Sequence, residues 1–147
     1  MRVFAQRETR TLDLVEILRA TRRYFEASVE VQSASPDATS ATLAVSSEKH
    51  AFRGVFAIST RAVTEQDLTD ARSAEERGRA GGMATLAARC KTIWELEPVG
   101  TDDELARLNL CAVLASVALG PVLPDDCSTL YGVRGAMERL EKRLKQP

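Results

Sequence analysis

The chain has 147 residues, about the size of one typical domain, and it can bury a core without disulfides or a structural metal. Hydrophobic residues make up 44% of it and charged residues 28%, which is typical of a globular protein and argues against disorder. With 20 basic and 21 acidic side chains the net charge is −1, so no overall field steers the protein onto nucleic acid or an anionic membrane.

The first part of the chain predicts a strand followed by a helix. Residues 3–6 have the composition of a short strand. Thr11 can cap a helix, and apolar residues then recur at helical spacing, which predicts a helix over about 12–26. These apolar residues are Leu14, Ile17, Leu18, Tyr24 and Phe25.

Three later segments repeat with a period of two, which is typical of strands. The apolar residues of one face are Val29 and Val31, then Ala41, Leu43 and Val45, then Phe52, Phe56 and Ile58. The third segment also has Val55 and Ala57 on its other face, so it is expected to be central or covered on both sides. The links at 33–38 and 46–50 are short and polar, and short links favour an antiparallel meander. The N-terminal helix and the sheet are therefore expected within about 1–62.

From Thr64 onward the sequence predicts helices. Thr64 and Asp67 approximate a capping box, and small or apolar residues then follow at helical spacing as far as Pro98. Three glycines favour a break near 78–82, so 64–97 is interpreted as one helix or as two. The residues of this pattern include Leu68, Ala71, Ala74, Leu86, Cys90, Ile93 and Trp94.

Two more helices are predicted near the C-terminus. Residues 101–104 form a second capping box, whose helix is expected to be central and buried and to end before Gly120. The last helix is expected to follow Ser128. The fold class is therefore α+β, in one domain over 1–147: a small antiparallel β-meander of three to four strands, one N-terminal helix and a C-terminal group of three to four helices over about 64–146.

His50 and Cys127 are the candidates for chemistry. His50 is the only histidine, so any imidazole-based catalysis must use it, although a solvated turn residue is the alternative. Cys127 directly precedes the predicted cap Ser128, where a helix N-terminus can stabilise a thiolate. A cleft near either residue would make the chain a small enzyme or a ligand-binding accessory protein.

The sequence predicts neither a cofactor nor a bound metal. The glycines at 78–82 have helical sequence on both sides, so they match neither a dinucleotide fingerprint nor a phosphate loop. The three cysteines, Cys90, Cys111 and Cys127, are too widely spaced for a zinc site, and the first two are expected to be buried in apolar surroundings.

Arg19, Arg22 and Arg23 make the N-terminal part of the chain basic, and Arg19 and Arg23 stand one turn apart on the outer face of the first predicted helix. Such a patch can contact phosphates, so weak nucleic-acid binding is an alternative function. Glu16 and Glu26 share that helix, however, which favours an ordinary charged face. The balance of 16 Arg to 4 Lys, with 21 Ala, is typical of GC-rich bacterial coding and carries no functional information by itself.

Apolar helix surface predicts a protein partner. The helical stripes exceed what a sheet of three or four short strands can cover, so self-association, as in a homodimer, is expected. The proposed contact residues are Gly78, Gly81, Met83, Leu86 and Trp94. The edge of the meander offers a second route, because it can accept a partner's strand.

We therefore expect a non-catalytic protein-interaction or adaptor domain. The order of helix, strands and helices resembles that of small acidic bacterial chaperones that bind unfolded secretion substrates, and this likeness of architecture implies a chaperone-like role. The longest apolar stretch, residues 110–119, is too short for a membrane span, and the first residues do not form a signal peptide. A cytoplasmic location without membrane contact is expected.

Overall fold

A computed structural model describes residues 1–79 and 81–146. Within them the chain has an α+β fold of five helices and one six-stranded antiparallel sheet. In chain order the elements are β1 (Arg2–Ala5), α1 (Leu14–Tyr24), β2 (Ser28–Ala34), β3 (Ser40–Ser47), β4 (Phe52–Ala62), α2 (Glu65–Gly78), α3 (Met83–Arg89), β5 (Thr92–Pro98), α4 (Glu104–Ala118), β6 (Val122–Leu123) and α5 (Val133–Leu144).

The sheet contains the predicted meander and extends beyond it. Its strand order is β2-β3-β4-β5-β1-β6, so β2 and β6 are the two edges. The predicted hairpins are confirmed: Val45 of β3 lies opposite Val29 of β2 and Gly54 of β4. The prediction of three to four strands is wrong, because β5, β1 and β6 continue the same sheet on the far side of β4.

The part of the predicted helix that contains Ile93 and Trp94 is a strand instead, which is β5. Thr92, Ile93 and Trp94 are all at most 1% exposed, because this part of β5 lies between β4 and β1 and is covered on both faces. Residues buried on both faces of a sheet show no alternation of polarity, and in β5 only residues 94–97 alternate. Its apolar residues therefore also fitted a helical spacing.

The helices consequently do not form one C-terminal group, since β5 and β6 interrupt the part of the chain predicted to be helical. The predicted break near 78–82 is confirmed: α2 ends at Gly78 and α3 begins at Met83. The predicted Thr64 capping box is also confirmed, with the Thr64 side chain accepting from the Asp67 amide and the Asp67 carboxylate accepting from the Thr64 amide.

Three other helix starts differ from the prediction. Asp13 caps α1 in place of Thr11, and Asp103 caps α4 in place of Thr101. Each aspartate accepts from the backbone amide three residues later, where its charge also favours the positive end of the helix. The last helix, α5, begins at Val133 and not directly after Ser128.

Helices cover both faces of the sheet. On one face lie α1, α4 and α5, and α4 is the predicted central helix, with ten of its 15 residues buried. On the other face α2 and α3 pack on Phe4, Ile93 and Leu123, which belong to β1, β5 and β6. None of the helices in residues 1–79 and 81–146 combines the length and apolar composition that a membrane crossing requires.

The six-stranded sheet leaves less apolar helix surface for a partner than the predicted sheet of three or four strands would. Its six strands, with helices on both faces, bury most of the apolar stripes. The large apolar side chains that stay exposed are Val15, Leu18, Tyr24, Val99, Leu119 and Met137.

Candidate functional site

The edge strand β2 offers an unpaired backbone. It pairs with β3 alone in the described part of the chain, and most of its side chains are exposed. A bulge interrupts the ladder between Val31 and Ser33, so the regular part of the edge is Ser28–Val31. Alternate N–H and C=O groups of such an edge point outward and are available to another strand.

The side chains of this edge divide between the two faces of the sheet. Val29 and Val31 are half-buried and pack against the core on the face that carries α1. Glu30, between them, points to the other face and is exposed. A strand added beside β2 would therefore place every second side chain on the α1 side.

Helix α1 turns one face to the core and leaves a second face above the β2 edge. Ile17, Ala20 and Thr21 are buried, and the Thr21 hydroxyl donates to the Ile17 carbonyl oxygen at 2.7 Å, which satisfies this buried polar group. The residues on the other face are Leu18, Arg19, Arg22 and Arg23.

Between α1 and β2 lies a cleft of about 510 Å³, which we call the arginine groove. Leu18 and Val29 give it apolar surface, and three guanidinium groups from one helix surround that surface. The residues that line the groove are Leu18, Arg19, Arg22, Arg23, Ser28 and Val29.

The positive charge of the groove is only partly neutralised. Arg19 forms an ion pair with Glu16 at 3.0 Å on the surface of α1. Arg22 and Arg23 form no ion pair with any residue in 1–79 or 81–146, and the Arg23 guanidinium lies 5.3 Å from the centre of the Tyr24 ring. Two charged donors are therefore available to a ligand with carboxylate or phosphate groups.

His50 lies in the turn between β3 and β4, where its ring contacts a surface carboxylate. Its Nε2 is 3.3 Å from Oε2 of Glu26, whose other oxygen binds Lys49 at 2.6 Å. The hydrogen bonds from Lys49 and His50 hold the pKa of Glu26 below its ordinary value. The Ser47 hydroxyl donates to the Glu26 carbonyl oxygen, so the neighbouring serine is also engaged in holding the turn.

Cys127 is not at a helix N-terminus, contrary to the prediction, because α5 begins at Val133. It lies in a turn with φ of 49°, and Nη2 of Arg2 is 3.4 Å from its sulfur. Cys127 packs against the α2 and α3 face of the sheet, whereas His50 lines a hollow on the opposite face with Phe25. The structure therefore does not bring the two candidates for chemistry together.

A polar cluster on the α2 face was not foreseen from the sequence. Asp67, 2% exposed at its side chain, binds Arg2 at 2.9 Å and Arg61 at 2.6 Å, and Arg61 also binds Glu95. Burial alone would raise the pKa of Asp67, but hydrogen bonds from Arg61, Thr64 and Arg2 outweigh it and leave this pKa well below its ordinary value. The charges are mutually satisfied, which is the arrangement of a structural cluster.

The predicted contact residues lie in different environments. Trp94 is fully buried in β5, so it offers no surface to a partner. A Cβ on Gly78 would approach Thr129, so Gly78 packs closely within the protein. Gly81, Met83 and Leu86 line an apolar groove of about 430 Å³ between α3 and the start of α5.

Cys90 and Cys111 are buried, as predicted, and burial raises the pKa of both thiols, which makes them poor nucleophiles. Within residues 1–79 and 81–146, no group of three or more His, Cys, Asp or Glu side chains is placed to hold a metal ion. Comparisons of the chain with protein-family models, curated proteins and solved structures find no match.

Proposed function

We propose that this chain is a non-catalytic protein-interaction domain that binds an extended segment of a partner polypeptide as an added strand beside β2. The observation that supports it is the regular edge Ser28–Val31, unpaired on its outer side within the described residues. Backbone hydrogen bonds along an edge provide affinity, and the surface beside the edge provides specificity.

The other sheet edge is a poor site for the same purpose. Strand β6 has only two residues, and its outer side is engaged through a bridge between Val122 and Tyr131. A short, engaged edge gives few free backbone groups to a partner. Strand addition therefore belongs at β2.

The arginine groove supports the proposal because an added strand needs room for its inward side chains. A side chain on the α1 side of a strand beside β2 would lie next to the cleft, which β2 lines with Ser28 and Val29. Leu18, 36% exposed, and half-buried Val29 offer apolar contact at its floor. A centre of apolar contact with a polar rim is the usual composition of an interface.

The proposal is tested with random 12-residue peptides displayed on phage and selected on the intact chain. Selected peptides are synthesised, and amide hydrogen exchange of the protein is measured by NMR with and without each peptide. We expect slower exchange in Ser28–Val31, because outward amides become hydrogen-bonded. Protection confined to other elements, or failure to select any peptide, would contradict strand addition.

Two α1 variants provide a matched pair for this experiment. Leu18 and Val15 are both exposed apolar residues of α1, but only Leu18 lines the groove. Leu18→Asp should weaken binding of a selected peptide about tenfold, since it removes roughly 1.4 kcal/mol of apolar contact. Val15→Asp should change the affinity by less than about twofold, and equal effects of the two would place the peptide elsewhere.

Self-association stays a prediction, and the apolar groove beside α3 is the surface on which it is tested. Leu86→Glu puts a charge into that groove, whereas Val99→Glu puts one on an exposed residue outside it. Light scattering of the wild-type chain should give the mass of a dimer, and Leu86→Glu alone should reduce it to that of a monomer. A monomeric wild-type chain, or equal behaviour of the two variants, removes the prediction.

A further inference from the structure

We infer that the segment that binds beside β2 is acidic, with carboxylate side chains at every second residue, on the side that faces α1. This inference rests on the strand addition proposed above and adds the chemistry of the partner to it. It is based on the arginine groove, because Arg19, Arg22 and Arg23 line the cleft between α1 and the start of β2, next to the place that an added strand would occupy.

The spacing of the arginines suits an extended acidic chain. Arg19 and Arg22 or Arg23 are three or four residues apart on one helix, a rise of roughly 4.5–6 Å. Side chains on one face of a strand repeat every two residues, roughly 6.6 Å. Long arginine side chains span this small difference, so two carboxylates separated by one residue can each meet a guanidinium group.

Nearby acidic residues leave the charge of the groove largely unopposed. Glu16 is engaged with Arg19, and Glu26 is engaged with Lys49 and His50. Glu30 points to the opposite face of the sheet. A carboxylate arriving on the α1 side would therefore meet Arg22 and Arg23 without displacing an ion pair in the described residues.

The same charges argue against two other occupants. Pairing of β2 with β2 of a second copy would bring two arginine grooves together around a two-fold axis, and like charges repel. Nucleic acid would satisfy the guanidinium groups but not the backbone donors and acceptors of Ser28–Val31, nor the apolar contact of Leu18. An acidic polypeptide satisfies the guanidinium groups, the backbone groups of β2 and the apolar contact together.

The test uses three labelled 12-residue peptides with the same apolar residues at every second position. All remaining positions carry one variable residue, which is Glu, Gln or Lys. Fluorescence anisotropy should show the Glu peptide binding about tenfold more tightly than the Gln peptide, and the Lys peptide more weakly still. Added salt should reduce the advantage of the Glu peptide, because exposed charges are screened.

The protein variants assign this preference to the groove. The double variant Arg22→Gln, Arg23→Gln should lower affinity for the Glu peptide about tenfold and leave affinity for the Gln peptide within about twofold. Arg134→Gln is the matched control, because Arg134 is 93% exposed on α5 and does not line the groove. It should leave both affinities unchanged.

The outcomes separate the inference from the proposed function. If the Glu and Gln peptides bind equally and both protect the amides of Ser28–Val31, strand addition stands and the acidic preference is overturned. If the Glu peptide binds without protecting these amides, or none of the three binds, both are overturned. A single-stranded oligonucleotide that binds more tightly than the Glu peptide at the same salt, and loses affinity in the double variant, assigns the groove to nucleic acid instead.

Discussion

Gly120→Ala should lower the free energy of unfolding by about 3 kcal/mol, near the upper end of the usual effect of overpacking. A Cβ at Gly120 would overlap the carbonyl oxygen of Phe4 and lie 2.7 Å from its carbonyl carbon. Strand β1 cannot move aside, because it is paired with β5 on one side and β6 on the other, and Phe4 is fully buried. Chemical denaturation followed by circular dichroism measures the change.

The matched control for this substitution is Gly81→Ala. A Cβ at Gly81 would meet no atom of the described residues within 4 Å. The control should therefore change the free energy of unfolding by less than about 0.5 kcal/mol, as is usual at open surface positions. Equal effects at Gly120 and Gly81 would contradict the close approach of Gly120 to β1.

Asp67→Asn should lower the free energy of unfolding by about 3 kcal/mol. The substitution keeps the shape of the side chain but removes the charge that binds Arg2 and Arg61, and breaking a buried ion pair by loss of one partner costs about 3–5 kcal/mol. The lower end applies because the side chains of Arg2 and Arg61 are 20% and 35% exposed. The Thr64 cap also loses its charged acceptor.

This variant should also change the dependence of stability on pH. The pKa of Asp67 in the folded chain lies below its ordinary value of 3.8, so its contribution to stability is present above that value and is lost as pH falls toward the folded pKa. Denaturation at pH 7 and at pH values below about 4 should show that wild type and Asp67→Asn converge on acidification. A constant difference at all pH values would contradict the ion-pair explanation.

Asp70→Asn is the control on the same helix. Asp70 also binds Arg2 at 2.9 Å, but its side chain is 25% exposed and forms no ion pair with a second arginine among the described residues. Its ion pair is therefore worth less, and the substitution should cost about 1 kcal/mol or less. A larger loss from Asp70→Asn than from Asp67→Asn would show that burial does not determine the importance of these carboxylates.

The sequence predicted most of the elements that carry a clear period or a clear end signal. Helix α1 and strands β2, β3 and β4 repeat with the period of a helix or of a strand, Thr64 marks the start of α2, and Gly120 follows the largely buried α4. β5 alternates only over residues 94–97, because its first residues are covered on both faces, and β6 is too short to show a period. Tertiary pairing, which spacing does not encode, makes both of them strands.

The candidate site was predicted in parts. The sequence identified Arg19, Arg22 and Arg23 as a basic patch and the meander edge as a route for a partner strand, but it did not connect the two. Their connection depends on α1 packing beside β2 and on β2 being an edge of the sheet, and the spacing of residues in the sequence encodes neither. His50 and Cys127 were predicted as candidates for chemistry because their side chains are reactive, but the structure places them on opposite faces of the sheet.

The place of β1 in the sheet has a consequence for synthesis of the chain. Its partners are β5 and β6, which come about 90 and 120 residues later, so the first strand leaves the ribosome long before either neighbour exists. The hairpins β2–β3 and β3–β4 need only short loops and can close early. Until residues 92–98 emerge, the side of β4 that pairs with β5 is also open, so a fragment ending near residue 62 would expose the backbone edges of both β2 and β4.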